Sequence, residues 1–247
     1  NCDDVGTPVT VTMTVTDLGG LISVDSSIVT VVDAVPPVAL TQNISVNLDA
    51  TGNASITASQ INNGSYDSCG ISSTTIDIST FNCGDVNSPV TVTLIVIDNN
   101  SNADTNTATV TVIDNIAPVV IPKNITAYLD SNGSVTIAGI SLDSASWDTC
   151  GIDTFYLSQN TFGCGDTGAN NVTLFADDIG SNTGSASAII YIYDTIAPQI
   201  ELAPANAFLD STGQLNLTST LIDNGSWDSC GIASLTVSPS FFDCGDV

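Results

Sequence analysis

From Val90 to Ile97 the chain reads Val-Thr-Val-Thr-Leu-Ile-Val-Ile, and from Thr107 to Ile113 it reads Thr-Ala-Thr-Val-Thr-Val-Ile. Through Leu94 in the first stretch and Val112 in the second, apolar residues alternate with Thr, and a period of two sends the two sets to opposite faces of a strand. These stretches are predicted to form a long hairpin. Upstream, Asn43 to Leu48 alternates as far as a turn at Asp49 to Asn53, and Ala54 to Ala58 follows, which predicts another hairpin. Beyond a polar loop containing Asn62, Gly64 and Asp67, the stretches Ile71 to Ile78 and Phe81 to Cys83 predict a third. No helical period is sustained, and no helix longer than one turn is expected near Ser59. Strands at this spacing, with turn residues between them, predict an all-β fold of immunoglobulin-like antiparallel sandwiches.

The pattern repeats. Cys2, Cys83, Cys164 and Cys244 recur at a near-constant interval, and each is followed two positions on by Asp. A second set, Cys69, Cys150 and Cys230, always reads Cys-Gly-Ile and falls roughly 14 residues ahead of the next member of the first set. The same period carries Asp33, Asp114 and Asp194 ahead of Pro37, Pro118 and Pro198, and Leu-Asp turns at Asp49, Asp130 and Asp210. Five landmarks in step define tandem units of about 80 residues. The expected division is a C-terminal part of one repeat (1–35), complete repeats at 36–117 and 118–197, and an N-terminal part of a fourth (198–247), arranged as a rod. Both ends are expected to be cuts within a longer array.

The cysteines are expected to pair locally as Cys69 with Cys83, Cys150 with Cys164 and Cys230 with Cys244, leaving Cys2 for a partner upstream. A bridge closing a loop of about 14 residues adds about 3 kcal/mol in the chain-entropy model, useful to a small sandwich with a thin core. A zinc site is the alternative, but the spacing lacks Cys-x-x-Cys and the chain has no His. Oxidised cysteines imply an extracellular or periplasmic setting.

Charge narrows the partners. The chain has 26 acidic residues against one basic residue, Lys123, for a net charge of −25. Phosphate neutralisation needs Lys and Arg, so nucleic acid is excluded as a partner. No apolar run approaches the roughly 20 residues of a membrane span, so no membrane insertion is expected. An enzyme is not expected either: His is absent, the cysteines are assigned to bridges, and the same Asp positions recur in every unit, which suits a building block rather than one active site.

The motifs Asp67-Ser-Cys-Gly-Ile, Phe81-Asn-Cys-Gly-Asp-Val and Val110-Thr-Val-Ile-Asp-Asn-Ile-Ala-Pro, together with the Val90 strand, resemble repeats of SprB-type gliding adhesins of Bacteroidetes and related HYR-like, immunoglobulin-like modules. The resemblance covers the whole chain. It implies type IX secretion, display as a long cell-surface filament, and service in adhesion and gliding motility. Many related repeats carry an extra Cys in the last hairpin, where this chain has Ala103 to Thr107 and none.

All acids but Glu201 are Asp, a residue favoured at turns and as an oxygen ligand for hard cations. In a sandwich they collect at the poles. Asp49, Asp85 and Asp114 are expected at the trailing pole of one unit, facing Asp143, Asp148, Asp177 and Asp178 of the next, with Asp33, Asp67 and Asp194 at equivalent places. Lacking cationic partners, these carboxylates are candidate calcium ligands at the junctions; the other reading is that Asp caps turns and keeps the chain soluble. Tyr66, Trp147 and Trp227 each precede an Asp of the polar loop and either pack in a core or linker or stack on a sugar ring. The expected function is a structural shaft whose partners are neighbouring repeats of the same chain. The alternative is a repeat-borne module that binds surface polysaccharide, substratum or protein by avidity.

Overall fold

A computed structural model describes residues 1–246, which divide into two compact units. The first holds Asn1–Ile116 with the short segments Thr149–Gly151 and Ile179–Asn182; the second holds Ala117–Asp148, Ile152–Asp178 and the chain from Thr183 on.

The first unit opens with a hairpin, β1 (Pro8–Thr16) paired antiparallel to β2 (Ile22–Thr30) and exposed on both faces. Asp17 closes its turn, its Oδ1 accepting from the N–H groups of Gly19 and Leu21 at 2.9 and 2.8 Å. A sandwich follows, built from β3 (Ile44–Asn47), β4 (Asn53–Ser55), β5 (Ile71–Ile76), β6 (Thr80–Asn82), β7 (Val90–Asp98) and β8 (Ala103–Ile113). One sheet has the order β3-β8-β7-β5 and the other is the pair β4-β6. The expected final hairpin is present as β7 against β8, in register from Val90↔Val110 to Ile97↔Ala103. Near Ser59 a single helical turn, α1 (Ala58–Ile61), delivers the buried Ile61 to the core. Each sandwich is immunoglobulin-like.

Three details of pairing differ from expectation. The sheet is not wholly antiparallel, because β3 runs parallel to β8. The predicted hairpins at 43–58 and 71–83 are not ladders: β3 pairs with β8 and β4 with β6, while β5 pairs with β7. The turn at Asp49–Asn53 does reverse the chain, but each arm joins a different sheet. This lets both sheets contribute one apolar face to the same core, which a flat local hairpin cannot do.

The core follows from the alternation. Val92, Leu94 and Val96 of β7 and Ala108, Val110 and Val112 of β8 point inward and meet Leu48, Ile56, Ile61 and Phe81 from the other elements. The hydroxyls of Thr91 and Thr109 lie on the outer face. Asp98 also falls on the inward phase and is only 1% exposed. Its burial is tolerated because Oδ1 accepts from the N–H groups of Asn100 and Asn102 and Oδ2 accepts from the Asn102 side-chain amide, all at 2.8 Å. Burial pushes its carboxyl pKa up, but those hydrogen bonds outweigh it and hold the group below the usual carboxylate range.

The second unit repeats the plan with β9 (Ile125–Tyr128), β10 (Ser134–Thr136), β11 (Ile152–Leu157), β12 (Thr161–Gly163), β13 (Gly168–Asp178) and β14 (Thr183–Tyr193). The sheets are β11-β13-β14-β9, again with one parallel pair, β9 beside β14, and the pair β10-β12. Its core of Leu129, Ile137, Leu142, Phe162, Val172, Leu174, Ala188, Ile190 and Ile192 follows the same inward positions as the first. Beyond it lies a short pair, β15 (Gln214–Asn216) with β16 (Phe241–Asp243), beside a groove lined by Leu209, Leu215, Leu217 and Phe242.

Candidate functional site

The disulfides are the main departure from the sequence reading. Cys2 bonds to Cys69, Cys83 to Cys150 and Cys164 to Cys230, across sequence separations of 67, 67 and 66 residues. The local pairs Cys69–Cys83, Cys150–Cys164 and Cys230–Cys244 do not form. Cys2 has its partner within the chain, and Cys244 is the free, exposed cysteine.

Strand direction explains why. β5 is antiparallel to β7, β7 is antiparallel to β8, and β8 is parallel to β3, so β5 runs with β3. The Asp49 turn reverses β4 relative to β3, and β6 is antiparallel to β4, so β6 also runs with β3. The chain from Cys69 through β5 and β6 to Cys83 therefore crosses the sandwich once, end to end, changing sheets on the way. Its two cysteines lie at opposite poles, while a disulfide requires Cα atoms about 5–6 Å apart. The observed bridges have Cα–Cα distances of 5.1–5.2 Å.

Asp residues shape the backbone around these cysteines. Cys83 starts a 3-10 turn, Cys83–Asp85, in which Asp85 reaches back so that the Asn82 N–H donates to its Oδ2 at 2.9 Å. Asp166 does the same for the Gly163 N–H at 2.8 Å ahead of Cys164, and Asp246 for the Asp243 N–H at 2.9 Å ahead of Cys244. On the other side, the N–H of Cys69 donates to Asp67 Oδ1 at 2.6 Å and that of Cys230 to Asp228 Oδ1 at 2.7 Å. The Asp before or after each of these cysteines thus fixes the backbone that presents the sulfur.

A glycine completes the seat. Gly52, Gly133 and Gly213, three positions after Asp49, Asp130 and Asp210, have φ of +74°, +71° and +78°. A Cβ there would lie 2.8, 2.7 and 2.7 Å from the sulfurs of Cys83, Cys164 and Cys244. Only glycine allows both the left-handed turn and the close approach of sulfur. Asp49 closes this turn through Thr51 and Asn53: its Oδ1 accepts from Thr51 Oγ1 at 2.6 Å and from both N–H groups, which lowers its pKa. The Leu-Asp-x-x-Gly motif is visible in the sequence of all three units, but its tie to the disulfide is not.

The linkers are pinned too. The Asn102 side-chain amide, already held by Asp98, reaches the Asp33 carbonyl at 3.3 Å, and the Asn182 amide reaches the Asp114 carbonyl at 3.0 Å. Within each linker the Asp turns back on itself: N–H groups of Val35, Ile116 and Ile196 donate to Oδ1 of Asp33, Asp114 and Asp194, each at 3.0 Å. The second oxygens of Asp33 and Asp114 are buried without a hydrogen-bond donor. Asp114 as a whole is 3% exposed.

Of the candidate calcium ligands, Asp33 and Asp67 come together in the first unit, and Asp194 meets Asp228 in the second. The sulfurs of Cys69 and Cys230 lie in the same clusters but are committed to disulfides and cannot ligate as thiolates. Asp49 and Asp85 serve turns, as described. Asp143 Oδ1 accepts from the Ser146 N–H at 3.0 Å, and Asp177 Oδ1 from Thr183 Oγ1 at 2.6 Å. Asp178 is buried at 3% exposure, and Asp148 is half-buried. Sequence reasoning misses Asp228 as a cluster member, although its place before Cys230 repeats that of Asp67 before Cys69.

Tyr66, Trp147 and Trp227 are 58%, 56% and 53% exposed, so none is a core residue. Their backbones make a two-hydrogen-bond bridge to Val38, Val119 and Gln199, which holds the ring at the surface. No helix among the described residues is long and apolar enough to cross a membrane.

No family model matches the sequence, and no curated protein matches it. Among solved structures, the chain is similar to mouse clustered PcdhgC3 EC1-3, with 12% identity over 77% of this chain and 79% of that one at a TM-score of 0.35. It is similar to Protocadherin Gamma C5 EC1-3, with 12% identity over 76% and 77% at 0.38. It is also similar to Sidekick-1 immunoglobulin domains 1-4, with 7% identity over 76% and 68% at 0.37.

Proposed function

We propose that the chain is a structural shaft segment of an extracellular adhesive filament, made of tandem, disulfide-linked sandwiches. The observation that carries this is the disulfide pattern: each bridge ties a cysteine of one sequence repeat to a cysteine of the next, reinforcing the array rather than any single active centre. Three disulfides also fit an oxidising, extracellular setting. The resemblance to SprB-type repeats extends this reading to a cell-surface filament exported by type IX secretion and used in gliding, and it supports a non-enzymatic role.

The exposed Tyr66, Trp147 and Trp227 favour a second reading, in which each repeat stacks a sugar ring and binds polysaccharide by avidity. Binding of the chain to immobilised polysaccharides separates the two. The shaft predicts no retention; retention abolished by Trp147→Ala together with Trp227→Ala would replace it with the binding module.

Calcium belongs to the same proposal. The buried, donorless oxygens of Asp33 and Asp114 are costly as they stand, and a hard cation taking several oxygen ligands would satisfy them. The carboxylates of Asp33 with Asp67, and of Asp194 with Asp228, would supply part of such a shell. Extracellular calcium modules bind in the range of about 0.1–1 mM, so about 10 mM calcium is expected to add on the order of 2 kcal/mol per site. Thermal melts in calcium against sodium at equal ionic strength check this. A rise in Tm that Asp33→Asn removes supports the site, and equal melts in both salts exclude it.

A further inference from the structure

The disulfides do more than stabilise each fold: they reroute the covalent chain. Between Cys2 and Cys244, the shortest covalent route leaves the backbone at Cys2, crosses to Cys69, follows the chain to Cys83, crosses to Cys150, follows it to Cys164, and crosses to Cys230. The backbone pieces on this route are Cys69–Cys83, Cys150–Cys164 and Cys230–Cys244, the short spans from one cysteine set to the next. The three loops, with separations of 67, 67 and 66, are neither nested nor interlaced, and together they take most of the chain off the route.

What lies off the route matters as much as what lies on it. The loops contain every strand except β5, β6, β11, β12 and β16, and so hold the inward-facing positions of both cores other than Phe81, Phe162 and their neighbours. They also contain the linkers at Asp33–Pro37, Asp114–Pro118 and Asp194–Pro198. On the route within the first sandwich are β5 and β6, and within the second β11 and β12. These are the crossings that run from pole to pole in one direction, in strand conformation, and a strand is already close to its full length at about 3.3 Å per residue.

We infer that the three disulfides form an inextensible load path, so that tension on the chain is borne by short, already extended crossings and S–S bonds while the hairpins, most of each core and the linkers stay out of it. A tandem sandwich array without such bridges lengthens under load as each domain unravels. This one has little slack: a repeat can release only the crossing between its two cysteines. The inference rests on the shaft reading only for why the chain would be pulled; the path itself is a property of the covalent connectivity.

The test is single-molecule pulling on the whole chain through peptide tags at its two ends, with Cys244 alkylated, before and after a thiol reductant. In the oxidised chain the distance from Cys2 to Cys244 is expected to stop at about 160 Å, and after reduction to reach about 850 Å, at the extended limit of about 3.5 Å per residue. Cys83→Ser with Cys150→Ser should add one step of about 230 Å without reductant and leave the rest of the limit in place. Local pairings would instead stop the oxidised chain at about 700 Å, and that result, or release of whole-repeat steps without reductant, overturns the load path. Failure here leaves the polysaccharide test of the shaft untouched. A short oxidised limit in a chain that binds sugars through Trp147 would keep the load path and discard the shaft.

Discussion

Replacing Cys164 and Cys230 together with Ser is expected to destabilise the second unit by about 4 kcal/mol, the chain-entropy value for a loop of some 66 residues. A loop of about 14 residues would yield about 3 kcal/mol, so the observed pairing is the more stabilising of the two. The gain comes from the unfolded chain, whose ends the bridge holds together, and is independent of any contact the sulfurs make. Both tryptophans of the chain, Trp147 and Trp227, lie in the second unit, so tryptophan fluorescence during urea unfolding reports this unit separately. Cys244→Ser is the control and should leave the transition in place, since Cys244 is free and exposed. A loss below about 1 kcal/mol for the double variant would mean that the bridge does not close a loop within this unit.

Where the alternation is strong, the sequence is a good guide. Val92, Leu94 and Val96 of β7 and Ala108, Val110 and Val112 of β8 fall on one face by periodicity alone, and they belong to the first core. What the pattern cannot supply is the partner of each strand. Asn43–Leu48 and Ala54–Ala58 look like a hairpin because a turn joins them, yet β3 pairs with the distant β8, Ile44 facing Val110. Non-local pairing leaves no mark on local periodicity. The disulfide error has the same origin. Nearness in sequence makes Cys69 and Cys83 an attractive pair, and only the directions of β5 and β6 show that the segment between them carries the chain across the whole sandwich.

Acid positions are legible within similar limits. Counting Asp residues identifies the turns correctly, and Asp49 and Asp130 do close them, but it gives too much weight to metal binding at Asp85, which holds the Cys83 turn. It also misses Asp98, whose inward phase on β7 makes it look like a core intruder. The residues that satisfy it, Asn100 and Asn102, are two and four positions on, and Asn102 then passes the constraint to the Asp33 linker. A buried carboxylate served by local donors is a turn device, and its link to the linker appears only once the chain is folded.

Phe162→Ala is expected to cost the second unit about 3–5 kcal/mol, the range for removing a large aromatic from a packed core. Phe162 is 1% exposed, sits at the middle of β12 opposite Val135, and belongs to the core of Leu129, Ile137 and Leu174. The paired stretch of this two-stranded sheet runs only from Ser134 to Thr136, so the ring is its largest apolar contribution and its removal leaves a cavity in the core. Trp147→Ala, a larger truncation at 56% exposure, should cost less than about 1 kcal/mol, because its backbone bridge to Val119 does not depend on the ring. Trp227 remains as the fluorescent reporter in both variants. If Trp147→Ala proves as damaging as Phe162→Ala, the indole is a packing residue and loses its standing as a sugar platform. If only Phe162→Ala unfolds the unit, the surface aromatics are held in place for something other than the fold.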